Sequence, residues 1–202
     1  MAKQYIVAIG REFGSGGKHI GRALAKELGV EVYDRNIVEK IAAEMEVEAE
    51  HLQKYEGKKR RPFFHRTVKG HTTAMEDHLI DLQSQYIRRL ADSGESFVIV
   101  GRCAEDVLAG REGLISIFVK ADREYKIGRV MKQFSLSRPA AIEKMDRHDR
   151  TRKAYHDHYS KSKWGDVKSY DLCIDSTHFG TKGTAEFLKD YVEKRIAKAE
   201  EN

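Results

Sequence analysis

Proline is almost missing from this chain: Pro62 and Pro139 are the only two in 202 residues. A proline-rich linker or polyproline architecture is therefore excluded. Cysteine is equally scarce, with Cys103 and Cys173 far apart in apolar contexts. They read as small buried hydrophobes of a reducing compartment, not as a disulfide framework or a metal knuckle. No apolar run approaches the ~20 residues that span a bilayer. The opening "MAKQYIVAIG" carries a short apolar stretch, but Arg11 and a series of glycines follow. It lacks the long apolar core and cleavage site of a signal peptide, so it reads as a first strand of a cytoplasmic protein. Repeats and low-complexity segments are absent too. With 40% hydrophobic and 34% charged residues, the chain has the composition of one folded domain and not of a disordered one.

What is present is alternation. Short, nearly continuous apolar runs occur at 5–10, 30–34, 97–101, 114–119 and 170–175. Runs of that kind are the mark of strands buried on both faces of a parallel sheet. Helical patterns fill the intervals: 18–28, where Ile20, Leu24 and Leu28 recur every four residues, then 36–55, 72–92, 123–134, 139–159 and 183–200. Pro139 falls in the first turn of its helix, where proline is tolerated. Strand and helix in turn predict an α/β fold with right-handed crossovers.

Between the first strand and the first helix lies "GREFGSGGKHIG", residues 10–21. Gly10, Gly14, Gly16, Gly17 and Gly21 surround a single Lys18, many more glycines than a turn needs. Glycines let backbone N–H groups converge on an anion, and the positive end of the following helix adds to the field. The sequence thus predicts a phosphate cradle from Gly14, Ser15, Gly16, Gly17, Lys18 and His19, with Lys18 as a point charge on the outer phosphates. Against the pattern G-x-x-x-x-G-K-[ST], Gly17 and Lys18 fit, Glu12 replaces the first glycine, and His19 replaces the hydroxyl that would hold Mg²⁺. Ser15 is the only hydroxyl in the loop.

Other candidates sit at strand ends. Arg102 follows Gly101 at the end of the third run, where open α/β sheets bind ligands, and its fork can grip a phosphate twice. Asp34 and Arg35 end the second run; Asp34 can serve a ligand, or cap the helix beginning near Asn36. The net charge of +5 comes from 37 basic and 32 acidic residues, with basic clusters at 58–66 ("KKRRPFFHR") and 147–153 ("RHDRTRK"). Two separate clusters favour clamps on a small anionic ligand over a groove for nucleic acid. Arg147 and Arg150 share a helical face, while Arg152 faces another way unless the helix bends. Histidines 156 and 158 flank Asp157, but an i, i+2 spacing does not share a face, which argues against zinc. Trp164 in "KWGD" is the expected anchor for the return of this stretch to the sheet.

These pieces in order, "IGREFGSGGKHIGRALAKELGVEVYD", "FVIVGRCAEDVL" and "DRHDRTRKAYHDHY" with "KWGD" and "YDLCIDS", resemble the cytidylate kinase-like family of P-loop nucleoside monophosphate kinases. The likeness spans about residues 4–195. It implies a three-layer α/β/α P-loop kinase fold in one domain: a five-stranded parallel sheet, a helical acceptor-binding insertion at about 36–95 and a lid at about 135–165. The resemblance also implies phosphoryl transfer from ATP, with Mg²⁺, to a nucleoside monophosphate, most simply CMP or dCMP. Lys18, Arg147, Arg150 and Arg152 would then act on the moving group, and Asp34, Arg35 and Arg102 on the acceptor. The chain departs from its relatives at His19, and at Cys103, where a cytidylate kinase has Asp after "GR". Those departures keep open a nucleotide-binding regulator, or a P-loop kinase with another small acceptor.

Overall fold

The five apolar runs form the five strands of one parallel sheet, in a computed structural model that describes residues 3–34, 36–44 and 73–201. They are β1 (Ile6–Arg11), β2 (Glu31–Tyr33), β3 (Phe97–Val100), β4 (Leu114–Lys120) and β5 (Leu172–Asp175), in the order β2-β3-β1-β4-β5. Described helices are α1 (Gly17–Leu28), α2 (Asn36–Glu44), α3 (Thr73–Asp92), α4 (Ala104–Val107), α5 (Arg123–Phe134), α6 (Arg138–Tyr159) and α7 (Gly180–Glu200). Successive side chains of β1 supply opposite layers. Val7 and Ile9 join Ile20 and Leu24 of α1 and Leu188 and Val192 of α7. Ile6 and Ala8 join Ile37 and Ile41 of α2, Ile87 of α3 and Leu108. Each layer hides a face that alternation alone would leave wet, which is why the strand sequences are apolar throughout.

Element bounds follow local chemistry. The third strand stops at Val100 because Gly101, Arg102 and Cys103 all take positive φ, 82°, 69° and 50°. That left-handed turn launches α4, a single helical turn absent from the sequence expectation. Of the helix predicted over 36–55, α2 accounts for the first part; the remainder, like Arg35 and the basic stretch 58–66, lies outside the described residues. The last helix begins at Gly180, ahead of the predicted 183.

Because β1 is central and all strands are parallel, the loops after β1, β2 and β3 share one edge of the sheet. Helix α6 packs on α5 through Ile127, Val130, Ala141 and Met145. The chain then returns to the sheet as expected at Trp164, whose ring meets Phe118 of β4 edge-on at 5.4 Å. Among the described residues, no helix is long and apolar enough to cross a membrane. Both cysteines are free thiols, Cys103 buried and Cys173 half-buried.

Candidate phosphate-binding and transfer site

The glycine loop has the backbone of an anion cradle. Gly16, the residue before α1, sits at φ 84°, and no side chain caps the helix. A Cβ on Gly16 would stand 2.6 Å from Thr181 Cγ2 and 3.2 Å from Arg129 Nη2, so a side chain has neither the conformation nor the room. The uncapped N–H groups of α1 carry the positive end of the helix dipole. The Ser15 side chain is turned into the loop itself, where its hydroxyl accepts the Gly17 N–H at 3.4 Å. It is fully buried, and its hydroxyl donates to the Glu12 carbonyl at 2.9 Å. His19 is exposed on the first turn of α1.

Glu12, which replaces the first glycine of the motif, does different work. Its Oε2 accepts from Lys126 Nζ at 2.8 Å and from the Ala121 N–H at 3.2 Å. The loop is thereby tied to the β4–α5 junction. Ser176 ties it to β5 as well, donating to the Ser15 carbonyl at 2.7 Å. A cradle braced on both sides stays open without spending ligand binding energy on ordering itself.

Lys18 meets Asp34 at 3.1 Å, and Arg22 meets the same Oδ2 at 3.0 Å. The two alternatives for Asp34 are both realised. Its Oδ1 accepts the Asn36 N–H at 3.2 Å, next to the start of α2, while Oδ2 holds the two cations. Burial alone would raise this carboxyl, but the Lys18 hydrogen bond, the Asn36 N–H and the Lys18 and Arg22 charges outweigh it and hold it below its ordinary value. Arg102 extends from the left-handed turn and donates to Gln83 Oε1 of α3 at 3.4 Å. A cavity of about 260 Å³ opens beside it, lined in part by Asp81, Gln85, Arg88 and Tyr155.

Cys103 stands where the sequence resemblance implies an Asp. Burial pushes its thiol up, so it offers no charge. The nearby carboxylate is instead Glu105, buried on α4, bonded to His156 Nε2 at 2.8 Å and to the Tyr170 hydroxyl at 3.3 Å. That buried group fastens α4 to the far end of α6.

Helix α6 runs unbroken from Arg138 to Tyr159, and it sorts the three arginines that the sequence singled out. Arg152 reaches the glycine loop: its Nη1 donates to the Arg11 carbonyl at 3.2 Å, and its guanidinium lies 5.4 Å from the Phe13 ring. Arg147 and Arg150 are exposed, and Arg147 pairs only loosely with Glu143, at 3.8 Å. Neither is brought to the cradle in this structure. Phe13, just before the cradle, is the contact that sequence reasoning missed. His148 stacks on it at 4.3 Å, and the Phe13 backbone N–H donates to Asp149 Oδ1 at 2.7 Å. The usable signal was an aromatic at the loop's start with Asp149 and Arg152 three apart on a helix.

Burial pushes the Asp149 carboxyl up to about 6, against the Phe13 N–H and the Arg152 and Lys126 charges. The folded chain therefore holds this proton more tightly than the unfolded one. The contribution is most favourable below the ordinary carboxylate value and is lost as pH rises through 6. Melting temperatures of wild type and Asp149→Asn, measured from pH 4 to 8, are expected to converge at low pH. By pH 8 the variant should be the more stable of the two, with a relative shift on the order of 5 °C over the interval. A variant that is less stable at pH 8 would mean that the Arg152 pairing outweighs burial.

A family model described as the cytidylate kinase-like family matches residues 6–178. The chain belongs to the cytidylate kinase-like family. A solved structure of an uncharacterized protein from Eubacterium ventriosum ATCC 27560 is 31% identical, covers 94% of this chain and 99% of its own, and superposes with a TM-score of 0.74. Shikimate kinase from Bacteroides thetaiotaomicron is 10% identical over 94% of this chain and 98% of that one, with a TM-score of 0.56. Shikimate kinase from Acinetobacter baumannii, in complex with shikimate, is 14% identical over 96% and 94%, with a TM-score of 0.55. At those identities the two kinases establish the P-loop kinase fold of this cytidylate kinase-like chain. No curated protein matches the sequence significantly.

The cradle fits a polyphosphate: glycines whose Cβ would clash, an uncapped helix end and a lysine at its rim. A protein-held metal fits less well. Among the described residues, no group of three or more His, Cys, Asp or Glu could hold one.

Proposed function

We propose that this cytidylate kinase-like protein transfers the γ-phosphoryl group of ATP to a nucleoside monophosphate, CMP or dCMP first. The observation that carries this is the convergence, at one sheet edge, of an uncapped glycine cradle, Lys18, and Arg102 on the neighbouring strand end. ATP supplies the phosphoryl group, and the acceptor phosphate is already ionised near neutral pH. The chain's own task is then to position and neutralise, with no strong base required. Backbone N–H groups of residues 14–19 and Lys18 would hold the donor phosphates. Mg²⁺ would be held mainly by phosphate oxygens and waters, as is usual for this ion. Arg102 would grip the acceptor phosphate, with Asp34 assigned to the same substrate; Arg35, assigned there from the sequence, lies outside the described residues. Arg152 would face the group in transit, while Arg147 and Arg150 would reach it only if α6 moved.

A second reading, a P-loop kinase acting on another small acceptor, is favoured by the cavity beside Arg102. Arg88 and Arg102 offer it an anion site, and Asp81 and Gln85 offer hydrogen-bond partners for hydroxyl or amine groups. Calorimetry separates the sides. Arg102→Ala is expected to weaken CMP binding at least tenfold while ATP affinity stays within about twofold, since a charged hydrogen bond is lost on one side only. Equal losses for both nucleotides would contradict the division. Wild-type chain that binds ATP and shikimate, but no monophosphate, would favour the second reading.

A further inference from the structure

Arg11, at the carboxyl end of β1, belongs to neither the cradle nor the acceptor set, yet it touches both. A Cβ on Gly17, the first residue of α1, would lie 2.5 Å from Arg11 Cβ and 3.0 Å from its Cγ. A Cβ on Gly101 would collide with the Arg11 guanidinium. The side chain therefore runs from the first turn of α1 to the end of β3, through space that two glycines leave clear. Its carbonyl accepts the Arg152 bond at 3.2 Å. One residue thus meets the donor loop, the acceptor-side turn and helix α6.

The turn it touches is unusual. Arg102 and Cys103 follow Gly101 in left-handed backbone, which residues with a Cβ disfavour and which persists only where the surroundings over-determine it. A planar guanidinium laid against Gly101 is such a constraint. A lysine, a flexible stem with a compact charge, is not an equivalent one.

We propose that Arg11 is a positioning residue: wedged between Gly17 and Gly101, it fixes the left-handed turn that presents Arg102, and so sets the spacing between the acceptor grip and the glycine cradle. This rests on the assignment of Arg102 to the acceptor above. Misplacing a phosphate grip by about 1 Å is enough to cost a hundredfold in rate, so the spacing has a function beyond packing.

The test is a double-mutant cycle read by calorimetry with inorganic phosphate, with and without saturating ADP. Phosphate affinity is measured for wild type, Arg11→Met, Arg102→Lys and the double variant, with Arg11→Lys as a further single variant should R11M fail to fold. R11M is expected to weaken phosphate about tenfold in the Arg102 background and by less than about twofold in the R102K background, because a misaligned grip has nothing left to lose. R11K should fall with R11M, since the wedge needs the planar fork. Equal losses in both backgrounds would overturn the proposal and leave Arg11 a packing residue. So would full retention by R11K, a wild-type chain that binds no phosphate, or a phosphate affinity indifferent to R102K. Failure of the proposed function is seen separately, as absent ADP binding or absent transfer to any acceptor, while the phosphate cycle remains readable.

Discussion

Arg152→Ala is expected to lower kcat about a thousandfold, the scale of arginine-finger contacts. The value of kcat/KM should fall with it and KM should change little, because the charge Arg152 would meet is fully developed only while the phosphoryl group is in flight. The competing account is that Arg152 is a packing residue, bonded to the Arg11 carbonyl, lying over Phe13 and 3.7 Å from Asp149. That account expects a loss of melting temperature with nearly unchanged turnover. Arg150→Ala and Arg147→Ala are the internal controls. Both positions are exposed, so each change should alter stability by less than about 1 kcal/mol and turnover by less than about twofold. Equal losses at all three positions would mean that α6 closes differently from the arrangement in this structure.

Lys18→Ala is expected to weaken ATP binding about a hundredfold and to abolish most turnover, the cost of removing one preorganised charge from a phosphate site. Stability should move far less. The Lys18–Asp34 pair has a lysine whose side chain is 46% exposed, and Arg22 stays on the same Asp34 oxygen after the lysine is gone. Asp34 is buried, but its remaining partners Arg22 and the Asn36 N–H keep that carboxylate satisfied, so the loss of one half-exposed lysine should cost on the order of 1 kcal/mol. Titration with ATP and a thermal melt on the same sample check both quantities. Unchanged ATP affinity in a folded variant would remove Lys18 from the donor site.

The fold was largely legible because it rests on patterns that survive in one sequence. Five apolar runs became five parallel strands, and Ile20 and Leu24 became the buried face of α1. The glycine cradle was legible for the same reason, since close backbone approach leaves glycine as its trace. What was illegible depends on contacts between distant segments. Nothing local marks Glu12 as a partner of Lys126, or Phe13 as the platform for His148 and Asp149, because each contact joins the loop to a helix more than a hundred residues further on. Helix phase separated Arg152 from Arg147, yet which face would turn inward needed the buried Met145 and His156 to decide it. The short helix after Cys103 was hidden too, since positive φ at an arginine and a cysteine runs against their local preference.

The most direct measurement is transfer itself: the purified chain is incubated with γ-labelled ATP, Mg²⁺ and CMP or dCMP, and the label is followed by product. The account predicts labelled CDP or dCDP, formed at a rate that Arg152→Ala and Lys18→Ala reduce by two or more orders of magnitude, as above. Label that stays in ATP or appears only as inorganic phosphate, with a folded chain that binds ATP and with every monophosphate tried, would contradict it.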